Sequence, residues 1–197
     1  MNPLQTLSLA LGAGFSSGLN LYATVATLGL LERFGVIHLP ASLRVLTHSW
    51  VIGIAVVLYL IEFFADKIPY VDTIWDFVHT FIRPPAAALL AYAAVSGSDA
   101  EWRWGAALLA GGVALTSHGA KATTRAAVNT SPEPLSNWTL SLGEDVMAVW
   151  LSWMASLHPA ATTIVVFLLL GLCAYLLYRL FRFARRAVRR TPDTYFK

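Results

Sequence analysis

From Val146 to Tyr178 the chain runs for 33 positions without an Asp, Glu, Lys or Arg. As one helix this run would be about 50 Å long at 1.5 Å per residue, well beyond the roughly 30 Å hydrocarbon core of a bilayer. Proline tolerates the first turn of a helix but not its interior, so Pro159 divides the run into a helix over 142–157 and another from 159 onward. Pro84–Pro85 makes a similar break. Further uncharged runs cover residues 1–31, 45–61, 84–98 and 104–120. With 57% hydrophobic and 13% charged residues, against roughly 45–50% and 25% in soluble domains, the pattern predicts an all-α, polytopic transmembrane helix bundle. The expected spans are 4–31, 45–64, 84–98, 104–127, 140–157 and 159–181, within a single transmembrane domain over 1–184. A short interfacial or re-entrant helix is expected over 69–82. Six spans place both termini on one side.

The first apolar run has no positively charged start and no small-residue cleavage site, so it reads as a retained span. The net charge of +3 is unevenly placed: seven of fourteen basic residues fall after the last span, from Arg179 to Lys197. Basic residues flanking a span favour the cytoplasm, which predicts a multi-pass inner-membrane protein with a basic cytoplasmic tail over 185–197. The bilayer is the expected partner. Without a recognition fold around these charges, nucleic acid is not. The lone Cys173 excludes an intrachain disulfide or cysteine metal cluster and reads as a packing residue. A homodimer is left open.

Three markers recur in the same order. Ser16-x-Gly18-x-Asn20 resembles Ser117-x-Gly119-x-Lys121, an acid precedes tryptophan in "VDTIWDF" and "GEDVMAVW", and "RPPAAALLAYAAV" resembles "HPAATTIVVFLLL". They suggest repeats over 4–97 and 105–184. Three crossings in each half would make the repeats inverted, a plan common among transporters.

The charged residues cluster. Asp72, Asp76, His79 and Arg83 fall at i, i+4, i+7 and i+11, one face of a helix, and Glu62 and Asp66 lie four apart just before them. Carboxylates and imidazole so placed suit a cation or a proton relay; a plainer alternative is an interfacial helix with solvated charges. His118, Lys121 and Arg125 form a cationic face, able to pair with the acids or cradle an anionic substrate. Glu144 and Asp145 open the fifth span, where the helix dipole favours acids; Asp145 is expected to turn inward as counterpart to Asp72. In "GAGFSSGLN", Gly14 and Gly18 suit close helix packing, or, with Ser17 and Asn20, a kinked stretch exposing backbone.

The run "EFFADKIPYVDTIWDFVHTFIRPPAA", with "GAGFSSGLNLYATV" before it and "SLGEDVMAVWLSWMA" after it, resembles the bacterial membrane-protein family catalogued as domain of unknown function 4126. The resemblance covers about residues 5–180. It implies an integral membrane protein whose acidic signature is carried by Glu62, Asp66, Lys67, Asp72 and Asp76, and it implies no activity.

The residues point to a gradient-driven transporter or channel for a small solute or ion, with Glu62, Asp66, Asp72, Asp76, His79 and Asp145 as proton or cation sites. His118, Lys121 and Arg125 would form the cationic side, Ser17 and Asn20 a polar wall. Alternatives are a scramblase-like lipid-handling protein and a structural membrane subunit. No GxxxxGK[ST], G-x-S-x-G, H-E-x-x-H or CxxC motif occurs, so neither an enzyme nor a cofactor is expected, and no metal is assigned.

Overall fold

A computed structural model describes residues 3–68, 70–129 and 134–189. Every regular element among them is a helix: α1 (Pro3–Arg33), a 3-10 helix (Ala41–Thr47), α2 (Ser49–Ala65), α3 (Val71–His79), α4 (Arg83–Ala94), α5 (Ala100–Val128), α6 (Pro134–Leu157) and α7 (Pro159–Arg189). Pro69, expected to open the short helix, and the tail residues 190–197 lie outside the described residues. Prolines start helices as expected at Pro84–Pro85 in α4 and Pro159 in α7, where the missing N–H costs nothing; Pro134 does the same for α6, about two turns before the expected start of that helix.

The largest departure from expectation is α1. Asn20 has φ −151° and ψ 101°, values that interrupt the helix. Leu9, Ala10 and Ala13, before the break, line one small internal cavity together with Leu28, beyond it. On a straight helix Leu9 and Leu28 would be about 28 Å apart, so the chain folds back at Asn20 into a helical hairpin. The expected span 4–31 is therefore two antiparallel half-helices that begin and end at the same end of the bundle. Asn20 itself caps the second half: its Oδ1 accepts from the Ala23 amide at 2.9 Å, the N-cap role favoured for asparagine. The second half ends at Gly35 (φ +70°). There the Gly35 amide donates to the Glu32 carbonyl and the Val36 amide to that of Leu31, a glycine-dependent C-terminal cap.

The contacts fix the direction of the other helices. Ser42 bonds the Ala93 carbonyl and Ser8 that of Ala155, so residues 3–8, 33–48, 94–100 and 157–159 share one end. The end of α2, the end of α5, the start of α6 and the end of α7 share the other. The expected span 84–98 is only the 12-residue α4, about 18 Å long. It traverses the bundle only in series with α3. The two Ser-x-Gly motifs lie side by side and run in the same direction: Gly14 faces Ala110 and Gly18 faces Ala114 and Ser117. An inverted repeat would set them antiparallel.

The hairpin is the axis of the molecule and touches α2, α4, α5, α6 and α7. Leu11, Phe15 and Leu19 pack with Val113 of α5, Leu151 of α6, and Val166 and Cys173 of α7. Cys173 is a buried packing residue, as expected. Polarity is arranged inside out. Trp50, Ile54, Val57, Ile61 and Phe64 form an exposed apolar stripe on α2, while Glu62 on the same helix is fully buried. Among the described residues, α7 over Pro159–Phe183 is long and apolar enough to cross a membrane. The 3-10 helix and α2, bent by 64°, meet the same criterion as a pair.

Candidate functional site

The hairpin tip, α2, α3, the start of α4, the C-terminal part of α5 and the middle of α6 enclose the charged residues. Three cations organise the cluster. Arg83 is fully buried; its Nη2 donates to Glu62 Oε1 at 2.6 Å, and its Nη1 to the Gly18 carbonyl at 2.9 Å and His118 Nδ1 at 3.0 Å. Lys121 Nζ donates to the Leu19 carbonyl at 2.9 Å, Asp66 Oδ2 at 3.1 Å and Glu62 Oε1 at 3.3 Å. Arg125 donates to Asp66 Oδ2 and to the Asp66 carbonyl, each at 2.9 Å, and its Nε to Glu144 Oε2 at 3.0 Å.

The break at Asn20 makes this arrangement possible. The last carbonyls of a helix lack intrahelical partners and carry partial negative charge. Gly18 and Leu19 present two such carbonyls inside the protein, and Arg83 and Lys121 take them. Gly18 is required for a further reason. A Cβ there would collide with the Ser117 hydroxyl and the Ala114 carbonyl, so only glycine lets α5 approach closely enough for Ser117 Oγ to reach the Phe15 carbonyl at 3.0 Å. Close packing and an exposed, broken backbone, two alternatives from the sequence, thus occur in one segment.

The face of α3 turns inward as its spacing predicts, with Asp72, Asp76, His79 and Arg83 all buried. The solvated interfacial helix is excluded. Asp72 accepts from Asn129 Nδ2 through both oxygens, at 3.0 and 2.9 Å, and stands 3.8 Å from Arg125. Asp76 has a looser partner, Arg83 at 3.8 Å, and its Oδ1 makes no hydrogen bond. Arginine can only donate, so His118 Nδ1 must accept from Arg83. His118 Nε2–H then donates to the Asp76 carbonyl at 3.0 Å, which holds the ring neutral. His79 is set apart: it lies over Trp75, with Nε2 at 2.9 Å from the Tyr22 hydroxyl and Nδ1 at 2.7 Å from the Trp75 carbonyl.

Glu144 and Asp145 require a correction. Because α6 begins at Pro134, both acids lie deep inside it rather than at its start, and the dipole explanation falls. Both turn inward. Glu144 pairs with Arg125 and Lys121, a role the sequence reading passed over. Asp145 Oδ1 accepts from Asn20 Nδ2 at 2.8 Å. Ser17 is buried, but its hydroxyl has no partner and it does not join the cluster. Spacing places Arg83 on the acidic face without marking it as the hub, and the roles of Asn129 and the two carbonyls carry no sequence signal. Among the described residues no group of histidine, cysteine and acid side chains is arranged to hold a metal ion.

These features define an all-helical bundle that closes around a buried ion-pair network at a folded-back helix. The chain belongs to the family described as Domain of unknown function (DUF4126), which it matches over residues 7–179. No curated protein and no solved structure matches it.

Proposed function

We propose that this is a multi-pass inner-membrane protein that moves a small cation or protons, with Glu62, Asp66, Asp76 and Glu144 as the acidic sites. The observation that carries the reading is an imbalance of buried charge. Six inward-facing carboxylates (Glu62, Asp66, Asp72, Asp76, Asp145 and the half-buried Glu144) meet three buried cations, Arg83, Lys121 and Arg125, and the half-buried Lys67, whose Nζ donates to the Phe63 carbonyl and Ser141 rather than to an acid. Glu62 Oε2, Asp66 Oδ1, Asp76 Oδ1 and Asp145 Oδ2 are buried without a hydrogen-bond partner. Uncompensated buried charge is costly, and uptake of protons or a cation relieves it.

The exposed apolar surface with charges inside supports the membrane setting, since ionisable groups within a bilayer turn toward the protein interior. In that setting α2, α3–α4 in series, α5, α6 and α7 make five crossings, and α1 is a re-entrant hairpin. Residue 3 and the C-terminal tail then lie on opposite sides, with the tail cytoplasmic. Broken helices whose ends meet buried charge are a recurrent transporter device, and α1 and α3–α4 both have this form.

The test is flux in sealed proteoliposomes under an imposed gradient of protons or alkali cations. Wild-type protein should conduct, and Asp76→Asn, which removes a charge but no hydrogen bond of Oδ1, should stay folded and lose flux. A silent, folded wild type would refute transport. It would favour the structural subunit, whose supporting observation is that all three central cations have carboxylate partners.

A further inference from the structure

Between Tyr59 of α2 and one face of α6 lies a groove of about 450 Å³, lined by Asp145, Val146, Val149, Trp150 and Trp153 among others. Its volume falls within the roughly 300–1,000 Å³ of small-molecule sites. Asp145 is the one carboxylate among the lining residues. It is only 3% exposed; Oδ1 is held by Asn20, and Oδ2 is left without a partner. The side chain is thus fixed in orientation with one oxygen unused.

We propose that this groove binds a lipophilic organic cation, an ammonium carrying an apolar or aromatic body. Asp145, whose unpaired Oδ2 is buried rather than exposed in the groove, supplies the counter-charge through space. Tyr59, Trp150 and Trp153 supply ring faces, which attract a cation electrostatically, and Val149 adds apolar wall. Other ligand classes fit less well. No Lys, Arg or His lines the groove, so an anion has no partner, and a zwitterionic lipid would leave its phosphate unpaired. A bare hard metal ion needs about six oxygen ligands, whereas the lining offers the Asp145 carboxylate and the Tyr59 hydroxyl as its side-chain oxygens. The groove also lies one hydrogen bond from Asn20, where α1 folds back beside Arg83 and Lys121. The site deepens the transport reading by naming its cargo, and only that cargo role rests on transport; binding itself does not.

The test is calorimetric titration of the detergent-solubilised full chain with benzyltrimethylammonium and with its neutral isostere neopentylbenzene. The cation should bind saturably, and the isostere roughly tenfold more weakly or not at all, the difference expected for a cation attracted by ring faces and a nearby carboxylate. Asp145→Asn should weaken the cation by a similar factor. Val149→Trp, at a half-exposed position outside the ion-pair network, should block the groove and abolish binding even if Asp145→Asn fails to fold. Equal binding of cation and isostere, binding unaffected by Val149→Trp, or binding of phosphatidylethanolamine in place of the free ammonium would overturn the proposal. Binding without flux would sink transport and leave the site standing; flux without binding would do the reverse.

Discussion

Arg83 gives the sharpest test of the network. Replacing it with methionine keeps much of the side chain's length but removes donors to Glu62 at 2.6 Å, Gly18 at 2.9 Å and His118 at 3.0 Å. It also leaves six inward-facing acids with two buried cations. Breaking a buried pair from one side costs about 3–5 kcal/mol. At about 2–4 °C per kcal/mol for a chain of this size, Tm should fall by about 6–20 °C. Glu62→Gln acts on the same pair from the other side, yet it should cost only about 1–2 kcal/mol, because glutamine still accepts hydrogen bonds and the change relieves the acid excess. Adding Glu62→Gln to Arg83→Met should therefore restore about 1 kcal/mol or more, within the coupling range of neighbouring sites. Thermal unfolding in detergent, followed by circular dichroism with all four variants in one buffer, measures the cycle. Equal costs for the two single changes, or a double change additive within about 0.5 kcal/mol, would refute an acid-rich network organised by Arg83.

Gly18→Ala should destabilise by about 1–3 kcal/mol through overpacking against α5, and Ser117→Ala should restore part of this because the Ala114 carbonyl remains in the way. Gly112→Ala meets open space inside α5 and should stabilise by about 0.5–1 kcal/mol through helix propensity, measured by the same unfolding assay. Asn20→Ala removes the cap at the turn and the partner of buried Asp145 and should cost about 1–3 kcal/mol. For topology, single cysteines on a Cys173→Ser background can be labelled with an impermeant thiol reagent in oriented vesicles. Leu4→Cys, Gly35→Cys, Ser98→Cys and His158→Cys should label from one side and Arg185→Cys from the other. Labelling of Leu4→Cys and Gly35→Cys from opposite sides would show that α1 crosses straight through.

Spacing alone determined which residues share a face. The i, i+4, i+7, i+11 series from Asp72 to Arg83 and the i, i+3, i+7 series from His118 to Arg125 need only the helical period, so the two charged faces and their pairing were legible. Proline starts were legible too, because the lost N–H restricts where a helix can begin. Which faces meet, and in which direction, was decided by the tertiary structure. A single residue, Asn20, leaves helical φ/ψ and reverses the chain. A straight helix and a folded-back one have nearly the same apolar pattern, so the sequence read one span where there is a hairpin. That reversal sets the Ser-x-Gly motifs parallel and presents the Gly18 and Leu19 carbonyls to Arg83 and Lys121. Glu144 reads as a helix-start acid for a related reason: its pairing inside the bundle depends on α6 starting about two turns earlier, at Pro134. Local chemistry specifies faces and caps, whereas the partner each face meets depends on the path of the whole chain.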